Sequence, residues 1–183
     1  MFLNAGLDMN TPHAGRQYFL LSGTWQESQA PGTVMMRRAR YMYGSSLARS
    51  ERGHVGSGLG KQPALGTVSI ASPTDLITQT GQKLTLDGVR FVFQLVPESE
   101  APAEMTFHLP EKKIWCGAEL VSRTLHNLYT LRGAKVRDAL KWSGYIQQAS
   151  DLFAANTDTI INSHHWPVWG NDNARLYLAQ QRD

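Results

Sequence analysis

The chain has a single cysteine, Cys116, and few charged residues for its length. One thiol excludes an internal disulfide and any zinc site built from several cysteines. Charged side chains make up 18% of the 183 residues, below the roughly one quarter that is usual for soluble domains. The hydrophobic share of 42% is enough for the core of one domain or of part of a larger one. Secreted disulfide scaffolds and charge-rich disordered chains are therefore excluded.

Long apolar runs are missing as well. The longest, residues 89–96, is interrupted by Arg90 and Gln94 and falls far short of the roughly 20 residues of a membrane span. The first residues, MFLNAGLDMNTPH, contain no basic segment followed by an apolar one. No signal peptide is predicted, so a cytoplasmic location is the default expectation. The net charge of +3 permits an anionic ligand and does not require nucleic acid.

The first third of the sequence has little regular patterning. Apolar residues in 1–35 neither alternate nor recur at helical spacing, apart from a few near 18–21, so this stretch is predicted to be poorly ordered. Residues 36–43 favour a short helix that ends near Gly44. The Gly/Ser/Arg-rich stretch up to residue 63 is typical of a long surface loop. Five arginines lie between positions 37 and 52, which leaves open an anion-contacting loop.

From residue 64 the pattern predicts several strands joined by short turns. Asp87-Gly88 is a strong hairpin signal, and residues 136–153 carry apolar side chains at helical spacing. A helix is also predicted from residue 172. The predicted strands are residues 67–71, 76–78, 83–86, 89–96, 103–110, 113–118 and 158–162. This order predicts a layered α/β or α+β fold.

Three possible metal ligands follow predicted strands. Glu100 follows strand 89–96, Glu119 follows strand 113–118, and His164 follows the strand near residue 160. Adjacent strand ends bring side chains from distant positions to one rim of a sheet, and two carboxylates with an imidazole can ligate zinc. The alternative is that the two glutamates are ordinary exposed loop residues and that His164 packs within its loop.

A second group of residues suits an anion. Arg132 and Asn127 lie in TLHNLYTLRG, a segment flanked by Arg123 and Arg137 and followed by the predicted long helix. The planar guanidinium fork matches sulfate, phosphate or carboxylate, and a helix N-terminus also favours negative charge. The alternative is that Arg132 caps the helix or pairs locally.

Four segments together resemble the alkylsulfatase family, alkyl and aryl sulfatases of the metallo-β-lactamase superfamily. They are EAPAEM (100–105), CGAE (116–119), TLHNLYTLRGAKVRDALKWS (124–143) and SHHWPVWGN (163–171). The resemblance runs from about residue 36 to the C-terminus. It implies an αββα sandwich and hydrolysis of alkyl sulfate esters by water held between two zinc ions.

The resemblance also implies roles for the candidate residues. Glu100 resembles a ligand of the first zinc, Glu119 the carboxylate that bridges both, and His164 a ligand of the second, with His165 as the alternative if the register shifts. Asn127 and Arg132 resemble the residues that hold the sulfate group of the substrate. The implied partner is therefore an alkyl sulfate, with no nucleic acid and no membrane span.

The sequence departs from the family pattern at several points. It contains no H-x-H-x-D-H run, and Leu120 and Arg123 stand where the family tends to have Asn and His. By the resemblance, this sequence stops where the family's dimerisation region is expected to begin, before the family's C-terminal domain. We therefore predict that residues 1–35 are an unmatched segment and that residues 36–183 are the C-terminal part of a metallo-β-lactamase-like domain.

These departures predict a truncated alkylsulfatase whose metal site is incomplete, because three ligands cannot give two zinc ions about four ligands each. A partial sandwich also predicts that strand 89–96 is an exposed, aggregation-prone edge. Two alternatives remain open. One is a single-metal hydrolase that uses the two glutamates and His164. The other is a non-enzymatic anion- or nucleic-acid-binding module that uses the arginines of 37–52.

Overall fold

The computed structural model describes residues 31–57, 75–100, 104–125, 127–131 and 136–183. These ranges contain three α-helices, one short 3₁₀ turn and six strands. The elements in chain order are α1 (Pro31–Met42), β1 (Lys83–Leu86), β2 (Val89–Leu95), β3 (Met105–Leu109), β4 (Ile114–Cys116), α2 (Ala139–Phe153), the 3₁₀ turn Ala154–Asn156, β5 (Thr159–Ile161), β6 (Val168–Trp169) and α3 (Asn171–Arg182). The predicted mixed α/β class is confirmed.

The strands form one six-stranded sheet in the order β1-β2-β3-β4-β5-β6. Neighbours are antiparallel except β4 and β5, which run parallel with Cys116 opposite Ile161. Because parallel strands need a crossover connection, the chain leaves β4, forms α2 and returns to start β5. This crossover brings the ends of β4 and β5 to the same rim of the sheet.

The predicted hairpin turn at Asp87-Gly88 is confirmed. Leu86 pairs with Val89, and the two residues between them have φ values of 49° and 79°. A two-residue type I′ turn requires positive φ at both central positions, which glycine and aspartate tolerate better than most residues. The local sequence therefore determines the register of β1 against β2.

The strand predicted at residues 76–78 is wrong. Ile77 is fully buried, but the backbone there is irregular. The side chain of Gln82, and not a neighbouring strand, makes the hydrogen bonds of this backbone. Its Oε1 accepts from Thr78 N at 2.9 Å, and its Nε2 donates to Leu76 O at 2.8 Å. The strand predicted at residues 67–71 lies outside the described residues.

Helices α2 and α3 cover one face of the sheet. The core between them includes Trp115 and Ile160 from the sheet and Ile146 from α2, all at most 1% exposed. Gln94 crosses this layer, donating to Tyr145 O at 2.9 Å and accepting from the Thr106 hydroxyl at 2.9 Å. Its buried amide is thereby satisfied, as the low polarity of the interior requires.

The predicted apolar stripe of residues 136–153 is only partly right. The Asp138 carboxylate accepts from the backbone N–H of Leu140 and Lys141 at 3.0 Å each, so the helix begins at Ala139 and excludes Val136. Leu140 and Leu152 are 83% and 50% exposed. Each is six residues from Ile146, a rotation of about 240° around the helix, which turns both away from the core.

The opposite face carries an aromatic cluster. The rings of Phe91, Phe93 and Phe107 lie with centroids 5.3–6.3 Å apart, and Ile77 and Met105 pack with them. Strand β2 lies between β1 and β3, so the prediction that 89–96 is an exposed edge is wrong. Among the described strands, the edges of the sheet are β1 and β6.

The N-terminal helix is longer than predicted. Helix α1 begins at Pro31 and ends at Met42, so residues 31–35 are helical and not irregular; residues 1–30 lie outside the described part of the chain. Gly44 has a φ of 65°, and the His54 Nε2 donates to Tyr43 O at 3.0 Å. None of the helices in the described ranges is long and apolar enough to cross a membrane.

Candidate functional site

The site lies at the rim where β4 and β5 end. The two segments remain paired beyond the strands, because Gly117 N donates to Ile161 O at 2.9 Å and Ser163 N donates to Ala118 O at 3.0 Å. Glu119 and His164 each follow the last residue of their strand by three positions. The register of a parallel pair therefore places these two side chains together.

Glu119 and His164 are in direct contact. Glu119 Oε1 lies 3.1 Å from His164 Nε2, with the two side chains 16% and 49% exposed. A carboxylate oxygen and an imidazole nitrogen so close can share a proton or can both face a metal ion. The structure brings Glu119 and His164 together, and it is His164, not His165, that makes the contact; their role as metal ligands stays a prediction.

The backbone beside each of the two residues adopts an unusual conformation. Ala118 has a φ of 51° and His165 a φ of 68°, a left-handed region that residues other than glycine rarely occupy. Such strain persists only where the surrounding structure determines it, and it is most often found at functional sites. The turns that present Glu119 and His164 are therefore held by their surroundings.

Gly117 lies two residues before Glu119, in a space without room for a side chain. A Cβ there would lie 2.6 Å from Val121 Cγ2, 2.8 Å from Asn162 Oδ1 and 2.9 Å from the Trp115 ring. Glycine allows the two strand-end turns to approach each other closely. The sequence prediction did not identify this requirement, although the CGAE string contains the residue.

An arginine holds the loop that carries His164. Arg123 Nε and Nη2 donate to the carbonyls of Trp166 and Pro167 at 3.4 and 3.2 Å. Its guanidinium also lies 5.8 Å from the centroid of the Tyr177 ring, within the range of a cation–π contact. Burial raises the pKa of the Tyr177 hydroxyl to about 12, so this side chain stays neutral. Arg123 thus links the turn after Glu119 to the loop after His164.

Glu100 is held by another arginine. Glu100 Oε1 accepts from Arg137 Nη2 at 2.9 Å, and the two side chains are 25% and 6% exposed. Arg137 Nη1 also donates to the backbone carbonyl of Asn127, and Arg137 N donates to Leu128 O at 3.0 Å. The structure therefore joins the Glu100 segment to the Asn127 segment. The sequence prediction named Arg137 only as a flanking residue, since nothing local identifies its partners.

Only one of the two predicted sulfate-binding residues lies in the described part of the chain. Asn127 is exposed, with its backbone carbonyl bound by Arg137, whereas Arg132 lies outside the described residues. The predicted metal set is likewise incomplete as a cluster. Within the described ranges, no group of three or more His, Cys, Asp or Glu side chains is arranged to hold a metal ion. The joint role of Glu100, Glu119 and His164 therefore remains a prediction.

Two other residues with suitable chemistry are excluded. Cys116 is buried, and burial raises the pKa of its thiol to about 11, so it is protonated at neutral pH and is neither a nucleophile nor a ready metal ligand. His108 is 4% exposed, donates from Nε2 to Asn156 O at 2.9 Å and stacks on Phe153. Both residues belong to the core.

Comparisons with known proteins identify similar sequences and structures. The chain is 46% identical over 157 residues to a linear primary-alkylsulfatase of Pseudomonas sp., a match that covers 86% of this chain and 23% of that protein. It superposes on the stereoselective inverting sec-alkylsulfatase Pisa1 from Pseudomonas sp. with a TM-score of 0.77 and 40% identity, covering 88% of this chain and 26% of that chain. No protein-family model matches.

A more distant structure bears on the fold alone. A metallo-β-lactamase family protein from Thermus thermophilus superposes with a TM-score of 0.51 at 15% identity, covering 91% of this chain and 49% of that chain. The resemblance predicted from the sequence motifs is confirmed by these comparisons. The chain spans about a quarter of the length of the curated relative it matches at 46% identity.

Proposed function

We propose that this chain, a homologue of the alkylsulfatases, binds alkyl sulfate esters and supplies part of the metal-binding side of a sulfate ester hydrolase site. The contact of 3.1 Å between Glu119 Oε1 and His164 Nε2 carries the proposal. It brings an oxygen and a nitrogen donor together at the rim where β4 and β5 end. The names of the similar proteins supply the substrate class.

Zinc is the metal that we propose for this rim. Carboxylate and imidazole are among its usual ligands, and Glu119 and His164 already face each other. The resemblance implies Glu100 as a third ligand, but within the described ranges it forms no metal-binding group with Glu119 and His164, and one of its oxygens accepts from Arg137. The three donors match zinc in chemical kind but are not arranged as one group in the described structure. A bound zinc would lower the pKa of a coordinated water to about 7.

The number of ligands limits the activity that we expect. Each zinc needs about four ligands, and the sequence contains no H-x-H-x-D-H run to add to the three proposed donors. Two centres therefore cannot be completed by Glu100, Glu119 and His164. We expect the chain to bind sulfate esters and zinc but to release sulfate no faster than the uncatalysed rate.

The sulfate group is assigned to the 127–132 segment. The Arg132 guanidinium offers two parallel N–H donors that match two sulfate oxygens, and the Asn127 side-chain amide adds a neutral donor. These residues would orient the ester and stabilise negative charge on the departing sulfate. The exposed side chain of Asn127 is available for this contact, since its backbone carbonyl alone is used by Arg137.

Binding can be measured directly by calorimetric titration with hexyl sulfate, with hexan-1-ol as the uncharged control. We expect saturable binding of the sulfate ester only, weakened by Arg132→Ala. Arg52→Ala is the matched control, because Arg52 belongs to the exposed arginine-rich segment after α1. Equal binding of the alcohol would contradict the proposal. Loss of binding in Arg52→Ala alone would favour the anion-binding module instead.

Sulfate release is a separate measurement, made by ion chromatography after incubation with hexyl sulfate and zinc. We expect no release above the buffer control, for the coordination reason given above. Zinc-dependent release that disappears in Glu119→Ala would instead favour a single-metal hydrolase, in which three ligands leave one position for water.

A further inference from the structure

We infer that the segment of residues 125–131 binds the hydrocarbon chain of an alkyl sulfate as well as its head group. The inference rests on the proposed function and deepens it, because it assigns the tail of the substrate to particular side chains. The structure describes residue 125 and residues 127–131 of this segment. No metal ion takes part in the contact.

The apolar side chains of the segment are exposed, and a polar one is buried. Leu125 and Leu131 are 95% and 80% exposed, Tyr129 is 54% exposed and Leu128 is 40% exposed, whereas Thr130 is 4% exposed. This is the reverse of ordinary burial, in which leucine is mostly inside and threonine mostly at the surface. The four exposed side chains form what we call the apolar patch, and such concentrations of exposed apolar groups are found at sites of interaction.

The charges of the surrounding sequence favour an anionic ligand. Between Glu119 and Asp138 the chain contains three arginines and one lysine but no acidic residue. Basic side chains attract a sulfate group, and exposed apolar side chains attract hydrocarbon. An alkyl sulfate matches both properties, whereas a cationic amphiphile matches only the second.

The segment is held by its backbone, which leaves its exposed side chains for the ligand. Arg137 Nη1 donates to the Asn127 carbonyl, and Arg137 N donates to Leu128 O at 3.0 Å. A surface that is fixed in advance loses less conformational freedom on binding. Asn127, which we propose for the sulfate group, is two residues from Leu125 and from Tyr129. Two residues span at most about 7 Å, so one short ester can contact both the amide and the apolar patch.

The first experiment measures the affinity of the 183-residue chain for butyl, hexyl and octyl sulfate by calorimetry, below the concentrations at which they form micelles. Complete burial of one methylene strengthens binding by about fourfold. An open surface covers the tail on one side only, so we expect about twofold per methylene and about tenfold or more from butyl to octyl sulfate. An increase of less than about threefold would overturn the inference.

Octyltrimethylammonium is the control ligand, because it carries the same tail on a positively charged head. We expect it to bind about tenfold more weakly than octyl sulfate, since the basic residues around the segment repel it. Equal affinity for the two amphiphiles would show unspecific adsorption of hydrocarbon, and the assignment of the tail to an alkyl sulfate site would be wrong.

The double variant Leu125→Ser/Leu131→Ser tests the apolar patch itself. Substitutions of exposed side chains usually change stability little, so the variant should fold. We expect its butyl sulfate affinity to stay within about twofold of the wild type and the gain from butyl to octyl sulfate to fall below about threefold. Leu152→Ser is the matched control, because Leu152 is 50% exposed and lies about 20 Å along α2 from Asp138. It should keep the full gain. An undiminished gain in the double variant would overturn the inference.

A second measurement uses the wild type and does not depend on the folding of a variant. Nuclear Overhauser effects are recorded between the protons of octyl sulfate and the leucine methyl groups and tyrosine rings of the chain. We expect contacts with Leu125, Tyr129 and Leu131. Contacts confined to exposed apolar side chains elsewhere, such as Tyr41 and Leu47, would show that the tail binds at another surface.

This inference and the proposed function fail in different ways. A wild-type chain that binds none of the three sulfate esters contradicts the proposed function, and the assignment of the tail falls with it. A chain that binds all three esters with equal affinity contradicts the assignment of the tail alone. Analytical ultracentrifugation without ligand tests another occupant of the apolar patch. A wild-type dimer that dissociates in Leu125→Ser/Leu131→Ser would show that a second copy covers the patch, and the inference would be wrong.

Discussion

Glu119 and His164 meet with 3.1 Å between Oε1 and Nε2, although the whole of helix α2 separates them in sequence. The parallel pairing of β4 with β5 accounts for this contact, since Cys116 lies opposite Ile161 and each side chain follows its strand by the same number of residues. The contact is therefore a consequence of strand register and not of local sequence.

Glu119→Gln tests whether this pair serves binding or stability. A partly exposed contact of this kind contributes at most about 1 kcal/mol to stability even where both groups are charged, so we expect the free energy of unfolding to change by less than about 1 kcal/mol. Zinc affinity should fall by about tenfold or more, because the charged ligand is lost. Urea denaturation and dye competition measure the two effects. Glu111→Gln, which removes an exposed pair with Arg90, should alter neither.

Gly117→Ala tests the close packing two residues before Glu119. The added methyl group would lie 2.6 Å from Val121 Cγ2 and 2.8 Å from Asn162 Oδ1, and overpacking of this kind costs about 1–3 kcal/mol. Gly144→Ala is the matched control, because a Cβ at Gly144 in α2 meets nothing within 4 Å. Alanine should stabilise that helix by about 0.5–1 kcal/mol. Urea denaturation of both variants checks the opposite signs, and a Gly117→Ala variant as stable as the wild type would contradict the packing argument.

The stability of the fold should decrease in mildly acidic solution because of His108. Burial lowers the pKa of this histidine from 6.5, despite opposing contributions from the Asn156 carbonyl and the Glu111 charge. The unfolded chain then binds the extra proton first as the pH falls below about 6.5. The contribution of His108 is fully present above that pH and is lost below it, by at most about 1.4 kcal/mol per pH unit.

Denaturation curves between pH 8 and pH 5 measure this slope, and His108→Gln serves as the comparison. Glutamine can still donate to Asn156 O but does not titrate. As the pH falls, the wild type should therefore lose stability relative to the His108→Gln variant. A difference that is independent of pH would show that His108 does not contribute.

Arg123→Ala should loosen the loop that carries His164. It removes the donors to the carbonyls of Trp166 and Pro167, both of which are exposed contacts, so the free energy of unfolding should change by less than about 1 kcal/mol. Amide exchange in residues 163–167 should become faster. Arg90→Ala is the control, because it also removes an arginine with an exposed contact, the ion pair with Glu111. Equal exchange rates in wild type and Arg123→Ala would exclude the anchoring role.

The parts of the fold that depend on local chemistry could be predicted from the sequence. The Asp87-Gly88 turn has its own backbone preference. Glu119 and His164 could be proposed as neighbours because each follows a strand, but the parallel pairing that brings them together is a property of the whole sheet. The stripe of 136–153 was misassigned at Leu140 and Leu152, because the Asp138 cap and the packing of Ile146 decide which face of the helix is inward.

The contacts of the arginines could not be predicted in the same way. Arg123 and Arg137 both reach backbone carbonyls, and every residue has such a carbonyl, so the sequence does not mark the acceptors. The irregular backbone around Ile77 is similar: the amide of Gln82 replaces a neighbouring strand, and only the tertiary structure decides between the two. Side chains that bind backbone groups far along the chain leave no local signal.

The burial of Cys116 has a practical consequence for spectroscopy. Its thiol is 2% exposed, and its pKa is raised to about 11, so maleimide reagents at neutral pH should leave the native chain unlabelled, since the thiolate is the reactive form. A second cysteine introduced on the surface would therefore carry a fluorophore or a spin label without background, and no cysteine-free parent would be needed. The surroundings of such a label near the rim of the sheet could then be followed in a chain that keeps Cys116.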